Sequence, residues 1–299
     1  MLFVSACGPS SGDGQPAGSE GGPTAAPDAL RVVTTTTIFA DLVRQVGGSA
    51  VSVDSLVPKG GEVHTFDPTP ADVKVIGSAG LIVANGLGLD DWLASLASDA
   101  GTSAPVVRLG DDLPGVTYLA GTEGAAPNPH LWLNVAYASK YVDRIETALS
   151  DADPSHASQF RANADAYRTV LGSLDTEIRD RIQALPAASK VVVSFHEAFP
   201  YFAAAYGLTI VGSIVDAPGQ DPSAGELANL IQKIRSSGAR AIFAEAQFSA
   251  KLADTIAGET GTTVVTDLYT DTLGDPPADT YVGMMRSDLD RILAALTAG

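Results

Sequence analysis

Val191-Val192-Val193-Ser194-Phe195-His196-Glu197-Ala198-Phe199-Pro200-Tyr201-Phe202-Ala203-Ala204-Ala205-Tyr206-Gly207 is the stretch on which the reading of the fold turns. Five residues, mostly β-branched, make a short apolar run of strand type. A histidine follows at once. Residues 198–206 then carry a helical pattern, closed by Gly207. A buried strand that ends in a polar side chain and turns into a helix is one βα unit of a parallel sheet.

The same unit recurs in both directions. Downstream, the pattern predicts strands at 208–214, 241–244 and 263–267. Helices are predicted at 223–237 (closed by Gly238), after 244 to about Gly258, and at 280–296. Upstream, strands are predicted at 30–35, 51–57, 81–84 and 106–109, with helices at 38–46 and 90–96. Thr69-Pro70 reads as a helix start, with threonine as cap and proline at the first helical position, and that helix ends near Gly77. Between the two halves, residues 134–185 are almost continuously helical in pattern, broken near Asp153-Pro154. Tyr167, Leu171, Leu174, Ile178, Ile182 and Leu185 recur every three or four residues, which is one face of a long helix. From Pro154 to its end at Pro186 that helix would run roughly 45 Å. The class is therefore α/β, with two halves of about four mostly parallel strands each and one long helix between them.

Composition limits the functions. Among 299 residues, 45% are apolar, which is enough for a large core, and the formal charge is −17 with a pI of about 4.4. Such a chain repels nucleic acid and anionic lipid. Cys7 is the only cysteine, so an internal disulfide and a thiolate metal cluster are both excluded, and a metal must take His, Asp or Glu. No apolar run is long enough to span a bilayer. The N-terminal Val4-Ser5-Ala6-Cys7 resembles a bacterial lipobox without a basic leader, and Gly/Pro/Ser/Ala-rich sequence follows it as a tether. The expected division is a truncated lipoprotein signal at 1–7, a tether at 8–28, a first lobe at 29–153, a linking helix at 154–186 and a second lobe at 187–299.

The chain has four histidines. His156 lies at a helix start and reads as a surface residue. His64, His130 and His196 each fall beside or just beyond an apolar strand-like run. Ligands of open parallel sheets bind beyond the carboxyl ends of the strands. Three histidines on that edge, from both halves, are placed to converge. A lone histidine in such a place is equally explained as a hydrogen-bonded structural residue, so placement leaves both readings open. Gly60-Gly61 offers a mobile approach to His64, and Pro127 and Pro129 stiffen the backbone around His130. Asp271 follows the last strand and can supply a carboxylate. Glu197 points away from its neighbour His196 and is not counted as a ligand.

Together these segments resemble the solute-binding lipoproteins of zinc and manganese ABC transporters, over roughly residues 30–296. The residues that carry the resemblance are Val63-His64-Thr65-Phe66-Asp67-Pro68-Thr69-Pro70, Asn128-Pro129-His130-Leu131-Trp132-Leu133-Asn134, His196 through Ala203 with Tyr206-Gly207-Leu208, and Thr270-Asp271. The resemblance implies two (β/α)4 lobes joined by one rigid helix, with a single metal buried between them. It implies the ligands His64, His130, His196 and Asp271, and no catalytic residue. It also implies delivery of the metal to a membrane ABC permease, by an extracytoplasmic monomer held by a lipid on Cys7 or free in a periplasm. Members carrying manganese or ferrous iron tend to have Glu at the third position, where this chain has His196. Imidazole suits zinc, whereas manganese favours oxygen, so the expected cargo is one Zn2+ per chain, with Mn2+ or Fe2+ as the alternative. The family often has Asp where this chain has Asn128 and Asn134, so an uncharged acceptor would make His130 a less basic ligand. The His-rich loop of many zinc members is absent from 110–127. A zinc hydrolase is disfavoured because four protein ligands leave no open position. A surface adhesin is a further alternative.

Overall fold

The fold was taken from a computed structural model, which describes residues 28–121, 126–215 and 217–297. The lipobox expected at 1–7, and all but the last residue of the expected tether, lie outside the described residues. Two four-stranded sheets form, and every strand pairing in them is parallel. The first contains β1 (Leu30–Thr34), β2 (Val51–Ser55), β3 (Leu81–Ala84) and β4 (Val106–Arg108), in the order β2-β1-β3-β4. The second contains β5 (Val191–Ser194), β6 (Thr209–Ser213), β7 (Ala241–Glu245) and β8 (Thr263–Leu268), in the order β6-β5-β7-β8. The two orders are the same, so each sheet reverses its winding between its first and third strands. The crevice beyond that point is where open sheets bind ligands.

The helices are α1 (Thr37–Gly47), α2 (Pro70–Gly77), α3 (Trp92–Ala100), α4 (Val135–Ala152), α5 (Ala157–Gln183), α6 (Pro200–Tyr206), α7 (Ala224–Ser237), α8 (Lys251–Thr260) and α9 (Tyr281–Thr297). The central helical stretch is two helices, α4 and α5, separated by a 3-10 turn at Pro154–His156. The 27 residues of α5 span about 40 Å, slightly less than expected, because the helix proper begins after that turn. Its predicted apolar face, from Tyr167 to Leu185, is buried throughout. That face touches α1 and α4 on one side and α6 and α9 on the other. The Asn163 amide donates to Val46 O at the end of α1 (2.9 Å), and Arg179 donates to Ala205 O of α6 (2.8 Å). The long helix is thus fastened to elements of both sheets.

Two helix starts lie two residues beyond the sequence expectation, each for a local reason. The helix expected at 90 starts at Trp92, because the buried Asp90 carboxylate is held by donors outside the helix. It accepts from Thr35 Oγ1 (2.8 Å), Asn85 N (2.7 Å) and Gly86 N (2.9 Å), which closes the crevice of the first sheet. The helix expected at 198 starts at Pro200, whose fixed φ and missing N–H suit the first helical position.

The halves are stitched together near the carboxyl edges of their strands. Trp132 Nε1 donates to Thr270 O (2.7 Å), and Tyr281 Oη donates to Trp132 O (2.6 Å). Tyr281 N donates to the buried Asp41 (2.8 Å), and Leu273 N to Thr37 Oγ1 (2.8 Å). Trp132 itself packs edge-on against Phe39 at 5.3 Å between ring centres. The C-terminal helix α9 therefore belongs to both halves in its contacts.

Asp288, on α9, lies beneath the loop that follows β8. Both its oxygens accept the Tyr269 amide, at 3.1 and 3.2 Å. Burial pushes its carboxyl well above the usual range, against that hydrogen bond and the Arg291 charge. A carboxyl whose folded pKa exceeds its unfolded value of about 3.9 gives the folded state the extra proton, so its contribution to stability falls as pH rises from about 4. Asp288→Asn keeps an acceptor and removes the ionisation. In urea denaturation of the metal-free protein the variant should gain on the wild type progressively from pH 4 to pH 8. A stability difference that does not vary with pH would contradict this.

Candidate metal centre

The four predicted ligands come from four loops at the carboxyl edges of the two sheets. His64 lies in the loop after β2. The backbone beside it is held by Trp92 Nε1, which donates to Val63 O (3.0 Å). His130 lies between β4 and α4. Asn85 Nδ2 donates to Pro129 O (3.1 Å), and Tyr141 Oη donates to Asn85 Oδ1 (2.7 Å), so buried polar groups fix the position of that loop. His196 follows β5, and its ring packs edge-on against Phe248 at 5.4 Å. Asp271 follows β8 and accepts from Gln247 Nε2 (3.2 Å) and Thr270 Oγ1 (3.1 Å) through Oδ2.

The structure brings all four together. One donor atom from each lies within 4.8 Å of the others. His130 Nε2 stands 3.3 Å from the Nε2 atoms of both His64 and His196. Asp271 Oδ1 is 3.4 Å from His130 Nε2, and Oδ2 is 3.6 Å from His196 Nε2 and 4.0 Å from His64 Nε2. A tetrahedron with metal–donor bonds of 2.0–2.1 Å has edges of about 3.3–3.4 Å. The two His–His separations of 3.3 Å and the 3.4 Å from Asp271 Oδ1 to His130 Nε2 are close to that edge. Asp271 Oδ1 is buried and has no hydrogen-bond partner among the described residues. Three imidazole nitrogens facing one another around such an oxygen suit a cation at their centre. His156 stays apart, exposed on the 3-10 turn and paired with Asp153.

Electrostatics prepare His64, His130 and Asp271 as donors. Burial, then repulsion from His130 and His196, brings the His64 imidazole down to about 3 against the pull of Asp271. Burial likewise lowers His130. Both rings are therefore neutral at pH 7, as ligation requires. Burial also opposes ionisation of Asp271, but the surrounding histidines outweigh it and hold the carboxyl below its usual range. His196 goes the other way. Burial lowers it, yet the carboxylates of Glu245, Asp271 and Glu62 bring it up to about 9. His64 is the most accessible of the four, with 18% of its side chain exposed, and so marks the route from solvent. That route is a cavity of about 360 Å³ lined by His64, His130, His196, Leu87, Pro127 and Pro218, among others.

The residues around the donors sharpen the sequence reading. Asn128, not Asn134, supports His130: its Oδ1 accepts from His130 N (3.0 Å) and lies 3.1 Å from Nδ1. Asn134 instead caps α4 by accepting from Ala136 N. Asn128 also donates through Nδ2 to Glu197 O (2.6 Å), which an Asp in that place could not do. Glu245 was not foreseen. It ends β7, is buried, and places Oε1 2.9 Å from His196 Nδ1, a contact of ion-pair length whose alignment falls short of a hydrogen bond. A glutamate closing the otherwise apolar run Ala241–Glu245, on the strand beside β5, was the available signal.

The chain matches the protein family described as zinc-uptake complex component A, periplasmic, over residues 32–295. It belongs to that family. The family consists of solute-binding proteins of the metal ABC transporter type. The chain is similar to the manganese-binding lipoprotein MntA of Halalkalibacterium halodurans, with 29% identity over 272 residues, covering 90% of this chain and 89% of that protein. It is similar to the iron-binding protein YfeA of Yersinia pestis, at 31% identity, covering 92% and 88% of the two chains. Among solved structures it is similar to the periplasmic zinc-binding protein TroA of Treponema pallidum, with a TM-score of 0.82 and 30% identity over 90% of this chain and 99% of that one. These relatives are named as binding proteins for manganese, iron and zinc, and not as enzymes.

Asn128 carries a prediction. Asn128→Ala removes the acceptor beside His130 Nδ1, and the affinity for metal should fall roughly 10- to 100-fold. Asn128→Asp keeps the acceptor but sets a carboxylate against Glu197 O, and should cost about 1–3 kcal/mol of metal-free stability. Competitive metal titration and urea denaturation read the two effects. An alanine variant with wild-type affinity would remove Asn128 from the site.

Proposed function

We propose that the protein captures one Zn2+ outside the cytoplasm with His64, His130, His196 and Asp271, and delivers it to an ABC permease. The observation that supports zinc most strongly is the donor set itself: three imidazoles and one carboxylate, spaced near a tetrahedral edge. Manganese prefers more oxygen and a larger shell. The zinc-binding description of TroA, a similar structure, agrees with this choice. The manganese- and iron-binding relatives make Mn2+ or Fe2+ the second reading. Four protein donors around one ion leave no position for a substrate water, which fits capture and release better than hydrolysis.

The remaining parts of the proposal follow the family. The chain acts as a monomer, anchored through a lipid on Cys7 by the tether that follows it. Its lobes are residues 29–153 and 187–299, joined by 154–186. Among the described residues no helix is long and apolar enough to cross a membrane.

Zinc should bind at one ion per chain and displace manganese in direct competition. At free zinc 1,000 times Kd the folded state should gain about 4 kcal/mol, read as a higher melting temperature. His64→Ala, His130→Ala and His196→Ala should each weaken zinc binding. Wild-type affinity in all three would overturn the site, and a preference for manganese would overturn the cargo. Zinc affinity should also fall from pH 8 to pH 5, because ligation requires neutral imidazoles and protons compete for them. A titration flat across that range would contradict three histidine ligands.

A further inference from the structure

Two strands of the second sheet, β5 and β8, lead to donors of the metal centre. A second cavity, of about 500 Å³, opens beyond the carboxyl ends of β5, β6 and β7. Its apolar wall is Phe195, Val215, Phe248 and Leu252. Small-molecule sites have this size and kind of lining, and open parallel sheets bind ligands at this edge. The Phe195 and Phe248 rings stack nearly parallel, with centres 5.1 Å apart and planes at 15°. Two opposite charges, Lys251 and Asp221, also line the cavity. Both are exposed, they do not pair with each other, and neither side chain has an ion pair or hydrogen bond among the described residues. Phe248 also packs edge-on against His196 at 5.4 Å, and its neighbour Gln247 donates to Asp271 (3.2 Å). One two-residue step thus forms a wall of the cavity and touches two members of the donor cluster.

We propose that this cavity binds an α-amino acid with a large apolar side chain, and that this ligand and the metal strengthen each other's binding through Phe248. The zwitterion complements the lining. Its carboxylate meets Lys251, its ammonium meets Asp221, and its side chain lies along Phe248 and Leu252. Charge-assisted hydrogen bonds hold the polar end, and the apolar wall removes the side chain from water. A ligand with a single charge leaves one of the two rim groups unanswered. With the cavity filled, the Phe248 ring has no room to turn away from His196, so the donor ring beside it is held in place. Coupling of this kind is reciprocal: whatever the ligand adds to metal affinity, the metal adds to ligand affinity.

The coupling rests on the four-donor site proposed above, whereas the amino-acid site does not. L-phenylalanine is the probe, titrated calorimetrically into the full chain, metal-free and loaded with one equivalent of zinc so that none is left free to bind the amino acid. It should bind at one site per chain, with a Kd below about 1 mM. Phenylacetate and phenethylamine, which each lack one charge, should bind about tenfold more weakly, and so should glycine, which lacks the side chain. Lys251→Ala and Asp221→Asn should each weaken L-phenylalanine about tenfold and leave zinc affinity within about twofold of wild type. Thr255→Trp, which puts bulk into the exposed lining, should abolish L-phenylalanine binding. The zinc-loaded protein should bind L-phenylalanine about fivefold more tightly than the metal-free protein. Absence of saturable binding overturns the proposal. So does equal affinity for L-phenylalanine, phenylacetate and phenethylamine, which marks an apolar surface that reads no charge. Equal affinity in the two metal states overturns the coupling. If the four-donor reading itself is wrong, the wild type takes up no stoichiometric zinc and the coupling falls with it, while the metal-free titration still decides the amino-acid site.

Discussion

One nitrogen or oxygen atom from each of His64, His130, His196 and Asp271, carried by loops of two separate sheets, lies within 4.8 Å of the others, and the rest of the molecule is arranged to keep them there. An error of an ångström between the sheets would open a tetrahedral shell. Several bonds across the halves prevent that. Trp132 ties the loop after His130 to Thr270, next to Asp271. Tyr206 receives the Val135 amide and donates to Asp175 of α5, linking α4, α6 and α5 at one point. Behind these bonds runs α5, with its apolar face packed against helices of both halves. A packed helix of this kind fixes a distance that a flexible linker would leave free.

The two sheets share a strand order but treat their crevices differently. In the first, Asp90 sits beyond β1 and β3 and is satisfied by Thr35, Asn85 and Gly86. Three donors make that carboxylate part of the scaffold. In the second, Glu245 ends β7 beside β5, and what it meets is a histidine of the donor cluster. One crevice is closed by the protein's own hydrogen bonds. The other sets its carboxyl against the His196 ring. The same topology thus places one carboxyl among hydrogen-bond donors of its own half and the other beside a histidine of the cluster.

Much of this was legible in the sequence, for a physical reason. Strands buried on both faces read as short apolar runs, and Gly207 and Gly238 close helices with left-handed conformations, whereas the helix expected to end near Gly258 runs on to Thr260 and is closed by Gly261. The strands and long helix therefore followed from pattern alone, with ends displaced by a few residues where Asp90 and Pro200 intervened. His64, His130 and His196 stood out because histidines are scarce here and lie at strand ends. Their convergence did not follow from spacing, since it depends on how two sheets face each other, and the family resemblance supplied that link. Asn128 was noticed but could not be separated from Asn134, because only the folded loop shows which amide faces His130 Nδ1. Glu245 escaped because a strand-ending glutamate looks like a solvated terminus until the neighbouring strand places His196 against it.

Zinc K-edge X-ray absorption on the zinc-loaded protein tests the central claim most directly, because it counts and identifies the donors. The account predicts a four-coordinate shell of nitrogen and oxygen at about 2.0–2.1 Å, with outer-shell scattering from three imidazoles. A six-coordinate oxygen-rich shell, or scattering from fewer than three imidazoles, would contradict it.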